Sequence, residues 1–120
     1  MSKTILYIED NPDNMLLVER LISARGLVLL QAIDGLTGLV AAHQHQPNLI
    51  LLDINLPDID GYEVARQLRS SDATRHIPVI AITANALKGD VEKALHSGCD
   101  AYIAKPINLR DLWTNVSMFL

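Results

Sequence analysis

Three carboxylates, a hydroxyl and an ammonium each follow a short apolar run in this sequence. Glu9 and Asp10 follow the first run, Asp53 follows the third, and Thr83 and Lys105 follow the fourth and fifth. If the fold brings the carboxylates together, they will repel each other unless a cation neutralises them. Ligand sets made only of oxygen favour a hard divalent ion such as Mg²⁺.

The same residue types suit phosphoryl chemistry. An aspartate can attack phosphorus as a nucleophile, while a metal ion and a lysine neutralise the charge on the transferring oxygens. A threonine hydroxyl can donate a hydrogen bond to the same group. The residues therefore predict a Mg²⁺ site at which a phosphoryl group is transferred to a carboxylate.

Alternating elements must position these residues. The five apolar runs are short and bounded by polar or turn residues, as is typical of strands buried on both faces. Amphipathic stretches lie between them, so the predicted order is β-α repeated five times. This order indicates a parallel sheet with right-handed crossovers and helices on both faces. Ligands of such sheets bind beyond the carboxyl ends of the strands. The predicted strands are residues 5–8, 27–30, 49–52, 79–82 and 101–104.

Capping residues support the predicted helices. Asn11 followed by Pro12 predicts an N-cap and the first helical position. Asp34 and Asp60 open the second and third helices, and Gly26 falls where the first helix should end. The apolar helical faces lie within residues 15–22, 36–40, 64–68, 87–95 and 109–116.

Composition limits the class of protein. The 120 residues are the usual size of one domain, predicted here as 1–120, and hydrophobic residues make up 49%. The net charge of −4 argues against direct nucleic-acid binding. A single cysteine, Cys99, excludes an internal disulfide framework and a multi-cysteine zinc site, which suits the cytoplasm. The sequence contains no apolar run of membrane-spanning length, so we expect no membrane contact.

The motifs at the predicted strand ends are specific as a set. They are Ile8-Glu9-Asp10-Asn11, Leu51-Leu52-Asp53-Ile54-Asn55-Leu56-Pro57, Asp60-Gly61, Ile82-Thr83-Ala84 and Ala104-Lys105-Pro106. With these motifs the sequence resembles, over essentially its whole length, the response-regulator receiver domains of bacterial two-component signalling. The segments 87–90 and 98–103 resemble especially the single-domain receivers of phosphorelays that control bacterial cell division.

The resemblance implies a phosphoacceptor and a metal site. Asp53 matches the aspartate that takes a phosphoryl group from a partner's phosphohistidine. Asp10, Asp53 and the backbone carbonyl of Asn55 match the ligands of Mg²⁺ or Mn²⁺. Glu9 matches the acidic residue that reaches the metal through water, at a position where many members have Asp.

The resemblance also implies a switch and a fold. Lys105 matches the residue that pairs with phosphoryl oxygens, and Thr83 the one that hydrogen-bonds to them. Tyr102 matches the aromatic residue that turns inward when the threonine moves toward the phosphate. The Lys105–Pro106 peptide bond is expected to be cis. The implied fold is the flavodoxin-like α/β three-layer sandwich, with five parallel strands in the order 2-1-3-4-5.

We therefore expect a phosphorylation-dependent signalling switch. Its partners would be a histidine kinase or a histidine phosphotransfer protein as donor, and a downstream protein bound by the face formed by the fourth helix, fifth strand and fifth helix. Its chemistry is confined to its own phosphorylation and dephosphorylation, so it is not an enzyme that turns over a separate substrate. Two alternatives remain: a receiver module cut from a hybrid histidine kinase or larger regulator, and a binding module that works without phosphate.

Three other site classes fit the residues less well. Haloacid-dehalogenase-type phosphatases need a second aspartate two residues after the nucleophile, where this chain has Asn55. A flavin-binding module of the same fold needs a phosphate-binding loop after the first strand, where Glu9 and Asp10 would repel phosphate. An EF-hand is excluded because Leu56 occupies the first ligand position.

Overall fold

A computed structural model of the chain describes residues 3–84 and 88–120. Within these ranges strands and helices alternate along the chain, as predicted. None of these helices is long and apolar enough to cross a membrane. The elements are β1 (Thr4–Ile8), α1 (Pro12–Ala24), β2 (Val28–Ala32), α2 (Gly35–His45), β3 (Leu49–Asp53), α3 (Gly61–Ser70), β4 (Val79–Thr83), α4 (Lys88–His96), β5 (Ala101–Ala104) and α5 (Leu109–Phe119).

The strands form one parallel sheet in the order β2-β1-β3-β4-β5. This confirms the flavodoxin-like topology. The chain crosses from β1 outward to β2, and then returns past β1 to β3. Because β1 and β3 are adjacent, the residues that follow β1 lie beside the residues that end β3. The strand order therefore creates the place where two distant acidic motifs meet.

Side chains of the central strands enter two apolar clusters, one on each face of the sheet. Along β1 they alternate: Ile5 and Tyr7 join the cluster under α1 and α5, whereas Leu6 and Ile8 join the cluster under α2 and α3. Burial on both faces explains why the central strands are continuous apolar runs. Each fully buried aliphatic side chain contributes about 1.5–3 kcal/mol.

Several strand boundaries differ from those predicted, including the start of β1 at Thr4 and the end of β2 at Ala32. β2 begins at Val28, not at residue 27, because the Leu27 amide completes the end of α1 by donating to the Ile22 carbonyl. β3 and β4 each extend one residue further, to Asp53 and Thr83. These two residues are therefore held by the sheet itself and not by the loops that follow it.

The predicted helix starts are confirmed. The Asn11 side chain accepts from the amides of Asp13 and Asn14, with Pro12 in the first turn. Asp34 and Asp60 cap α2 and α3 in the same way. These caps satisfy amides that have no partner within the helix. Leu87, predicted on the apolar face of the fourth helix, lies outside the described residues.

Candidate metal and phosphoryl site

The carboxyl edge of the sheet brings the predicted site residues to one end of the molecule. Glu9 and Asp10 follow β1, Asp53 ends β3, Thr83 ends β4 and Lys105 follows β5. The amide of Lys105 also donates to the Thr83 carbonyl at 2.8 Å, which continues the pairing between β4 and β5 beyond the strands. The sheet therefore fixes the backbone at these positions.

Glu9, Asp10 and Asp53 form an acidic cluster. Each offers a carboxylate oxygen that lies within 4.8 Å of the other two. Glu9 and Asp53 are each only 1% exposed, whereas Asp10 is exposed. Buried carboxylates this close together need a counter-ion or a proton. Their donor atoms are all oxygens, so a hard divalent cation such as Mg²⁺ fits the acidic cluster.

Lys105 provides the positive charge that faces the acidic cluster. Its Nζ donates to Oδ2 of Asp53 at 3.0 Å and lies 3.3 Å from Oε1 of Glu9. The Lys105 side chain is only 20% exposed, so water screens these interactions weakly. Burial acts to lower the pKa of Lys105, but the two carboxylates outweigh it and raise that pKa. Lys105 therefore remains an ammonium beside Asp53.

Glu9 and Asp53 differ in their affinity for a proton. Burial, with the neighbouring Glu9 adding to it, raises the pKa of Asp53 to about 7, against the hydrogen bonds from the Asn55 amide and Lys105. Burial also acts to raise the pKa of Glu9. Hydrogen bonds to Glu9 from Asp53 and Tyr7, with the charge of Lys105, outweigh this and hold that pKa below its usual range. Without a cation, a proton shared by this pair therefore resides on Asp53.

The side chain of Glu9 is held by several donors. Its Oε1 accepts from the Tyr7 hydroxyl at 2.9 Å and from Nδ2 of Asn14 at 3.1 Å, on the side where Lys105 also lies. Its Oε2 accepts a longer hydrogen bond, 3.4 Å, from the Asn11 amide. Glu9 is therefore oriented by the strand and the helix on either side of it.

Asn55 lies in the loop that leaves β3. Its amide donates to Oδ1 of Asp53 at 3.0 Å, and its side chain is exposed. Further along, the Gly61 amide donates to the Ile54 carbonyl at 3.0 Å. A Cβ atom at Gly61 would lie 2.5 Å from Cα of Ile54. Only glycine allows α3 to begin this close to the backbone beside Asp53.

Thr83 and Tyr102 occupy different environments. Thr83 is 3% exposed at the end of β4. Tyr102 lies on β5 opposite Ala81 and is 39% exposed, so it is not packed inward in this structure. The Lys105–Pro106 peptide bond is cis.

Sequence reasoning missed the residues that support the site. Tyr7 was assigned only to a strand, and neither the contact of Asn14 with Glu9 nor the role of Asp58 was foreseen. Asp58 accepts from the amides of Gly35 and Leu36 at 2.8 and 2.9 Å, which ties the loop after β3 to the start of α2. A signal existed for Tyr7, because residues two apart on a strand face the same side. The sequence contained no comparable signal for Asp58.

The chain is similar to a known protein family over most of its length. The response regulator receiver domain model matches residues 5–117. The polar-differentiation response regulator DivK of Brucella anthropi is 44% identical over 120 residues, covering all of this chain and 98% of that protein. The protein of the same name from Brucella ovis is 43% identical with the same coverage.

Solved structures share the fold. The receiver domain of a sensor histidine kinase from Pseudomonas aeruginosa, with a magnesium ion coordinated in its active-site cleft, is 34% identical with a TM-score of 0.91. The match covers 99% of this chain and 98% of that one. The chemotaxis protein CheY4 of Vibrio cholerae is 20% identical with a TM-score of 0.93 and full coverage of both chains, which shows similarity of fold alone.

Proposed function

Because the chain belongs to the response regulator receiver domain family, we propose that it is a phosphorylation-dependent switch whose phosphoacceptor is Asp53. The observation that carries this proposal is the contact between Asp53 and Lys105, at 3.0 Å, within the acidic cluster. A buried carboxylate with an ammonium on one oxygen and further carboxylates beside it is suited to phosphoryl chemistry on itself. The relatives named DivK support assignment to single-domain response regulators.

The metal of this site would be Mg²⁺ or Mn²⁺. Glu9, Asp10 and Asp53, with the backbone carbonyl of Asn55, would hold it, and Glu9 would act through water. The magnesium ion in the related Pseudomonas receiver supports this assignment. When bound, the metal neutralises negative charge where the phosphoryl group meets the carboxylates.

Phosphoryl transfer then follows from the positions of the chain's own residues. An oxygen of the Asp53 carboxylate attacks the phosphorus of a phosphohistidine on a kinase or a histidine phosphotransfer protein. A P–O bond forms to Asp53, the P–N bond breaks, and the donor's imidazole leaves and takes up a proton. Lys105 already lies beside Oδ2 of Asp53 and would pair with the phosphoryl oxygens. Thr83, held at the end of β4, would donate its hydroxyl to the same group.

Output would depend on the face formed by α4, β5 and α5. The movement of Thr83 toward the phosphoryl group would let Tyr102 turn inward from its exposed position, and this would change the affinity for a downstream protein. A groove of about 470 Å³ adjoins the site on this face and includes Tyr102, Lys105, Pro106, Asn108, Asp111 and Asn115 in its lining. Lys105 belongs both to the site and to the lining of this groove.

The activity would be confined to the chain itself. Water would hydrolyse the phosphoryl group on Asp53 and return the switch to its first state, without turnover of a separate substrate. We place the protein in the cytoplasm as one receiver domain spanning 1–120, with protein partners and neither nucleic acid nor membrane as a direct ligand. The Pseudomonas relative is a receiver within a sensor histidine kinase, so a module of a larger regulator is the second candidate. The chemistry at Asp53 is the same in both.

Intact-protein mass spectrometry after incubation with acetyl phosphate and Mg²⁺ tests the proposal. We expect one added phosphoryl group in the wild-type protein and none in Asp53→Asn or in the presence of EDTA. Asp72→Asn, which removes an exposed carboxylate away from the site, should still gain the phosphoryl group. Beryllofluoride, which mimics a phosphoryl group on aspartate, should bind with the same dependence on Asp53 and metal. A folded protein that neither forms the adduct nor binds beryllofluoride would be a phosphate-independent binding module, and the proposal would be wrong.

A further inference from the structure

The hydroxyl of Tyr7 is placed inside an apolar cluster and yet reaches the metal site. Tyr7 is 0% exposed, and its ring packs under α1 and α5 with Ile5 and Val18. Its hydroxyl donates to Oε1 of Glu9 at 2.9 Å. A buried hydroxyl without a partner is unfavourable, so this hydrogen bond strongly favours one position of the Glu9 carboxylate.

The backbone explains why the two side chains meet. Tyr7 and Glu9 are two residues apart, and side chains with this spacing on a strand point to the same face. The Glu9 amide donates to the Ala32 carbonyl at 2.9 Å, so the pairing of β1 with β2 continues through Glu9. The extended backbone therefore places the Glu9 carboxylate beside the hydroxyl of Tyr7.

The two oxygens of Glu9 are used unequally. Oε1 is close to three donors, from Tyr7, Asn14 and Lys105. Oε2 has the longer hydrogen bond from the Asn11 amide, 3.4 Å. Oε1 is thus occupied by the protein, and Oε2 is the oxygen with capacity for a further ligand.

We propose that Tyr7 is a positioning residue that holds Oε1 of Glu9 and so directs Oε2 toward a water molecule bound to a divalent cation in the acidic cluster. The glutamate side chain has one more rotatable bond than aspartate. Without the hydrogen bond from Tyr7, the Glu9 carboxylate would therefore sample other orientations. Lys105 cannot hold Glu9 in this way throughout phosphorylation and dephosphorylation, since it also pairs with Asp53. The inference rests on the metal site of the proposed function and deepens it.

Metal binding without any phosphoryl donor tests the proposal. The affinity for Mn²⁺ is measured from the electron paramagnetic resonance signal of the free ion in wild type, Tyr7→Phe and Tyr62→Phe. Tyr62 is also buried but lies on α3, with its ring under Lys93, so it is a matched control. We expect Tyr7→Phe to weaken Mn²⁺ binding about tenfold, as loss of a hydrogen bond to a ligand does at other metal sites. Tyr62→Phe should bind within about twofold of wild type, which is smaller than the expected effect.

A double-mutant cycle shows whether Tyr7 acts through Glu9. In a Glu9→Ala background, adding Tyr7→Phe should leave the Mn²⁺ affinity unchanged. Equal loss in both backgrounds would mean a general effect on packing and would overturn the inference. So would wild-type affinity in a folded Tyr7→Phe variant. If wild type itself binds no Mn²⁺, the metal site of the proposed function fails. If wild type binds the ion and Tyr7→Phe matches it, only the role of Tyr7 fails.

Discussion

The Nζ atom of Lys105 lies 3.0 Å from Oδ2 of Asp53, although 52 residues separate them. The contact exists because β5 ends two strands away from β3 at the same edge of the sheet, with β4 between them. Lys105 thereby places a positive charge beside the carboxylate of Asp53, the proposed phosphoacceptor.

Replacing Lys105 by methionine should slow phosphorylation of Asp53 by about 100-fold, since one charged donor to the transferring oxygens is lost. Mn²⁺ affinity should be retained or increased, because the lysine's charge opposes that of the cation. Rates of acetyl phosphate labelling, read by intact mass, measure the first effect. Lys93→Met, which alters a lysine over the Tyr62 ring, should label at the wild-type rate. A Lys105→Met protein that labels as fast as wild type would contradict the assigned role.

The metal-free protein should lose stability as pH rises through the titration of Asp53. Its pKa is raised to about 7 in the folded state, from 3.8 for an unperturbed aspartate. Between these values the folded protein holds a proton that the unfolded chain has released, so the free energy of unfolding falls as pH increases. Asp53→Asn should therefore raise Tm in EDTA more at about pH 8 than at about pH 5.

Asp72→Asn is the control for this pH effect, because the Asp72 carboxylate is exposed and pairs with Arg75 at the surface. Its change in Tm should be small at both pH values. Adding Mg²⁺ should reduce the advantage of Asp53→Asn, since a bound cation favours the ionised carboxylate. If the difference in Tm between Asp53→Asn and wild type does not vary with pH, then Asp53 titrates in the folded protein as it does in the unfolded chain, and the prediction is wrong.

Two glycine substitutions should have opposite effects on stability. Gly61→Ala would place Cβ 2.5 Å from Cα of Ile54 and 2.7 Å from the Asp53 carbonyl oxygen, both of them backbone atoms. We expect it to lower the free energy of unfolding by about 2 kcal/mol or more, a cost typical of overpacking. A Cβ added at Gly89 in α4 meets no atom within 4 Å, so Gly89→Ala should raise the free energy of unfolding by about 0.5–1 kcal/mol. Urea unfolding measures both, and a neutral Gly61→Ala would contradict the close approach.

Removing the carboxylate of Asp58 should loosen the start of α2. Asp58→Ala leaves the amides of Gly35 and Leu36 without this acceptor and should lower Tm, whereas Asp58→Asn should retain part of the effect. Backbone hydrogen bonds lower the pKa of Asp58 even though burial acts to raise it. Its contribution should therefore be present above the ordinary pKa of aspartate and be lost as pH falls through its folded-state pKa. Hydrogen exchange at Gly35 and Leu36 should increase in Asp58→Ala; unchanged protection would exclude the capping role.

Local sequence patterns were sufficient for the element order and the helix starts. Caps such as Asn11 and Asp34 act within a few residues, and the apolar runs of a sheet buried on both faces are visible without the fold. The rule that ligands lie beyond the carboxyl ends of parallel strands then brought Glu9, Asp53 and Lys105 together. The motifs supplied the family and with it the strand order.

The tertiary structure decided the contacts that the patterns could not contain. Side-chain rotamers decide which oxygen of Glu9 faces Tyr7. Desolvation by segments distant in sequence decides how far the pKa of Asp53 is raised. Arg69 is a further example, donating from α3 to the Gly98 carbonyl and to Asp100 beyond α4. The sequence separations of these residues follow neither helix nor strand periodicity, so no local pattern predicts the contacts. The sequence by itself therefore determined where the reactive groups stand on the sheet, and the packed side chains determined how each one is oriented and charged.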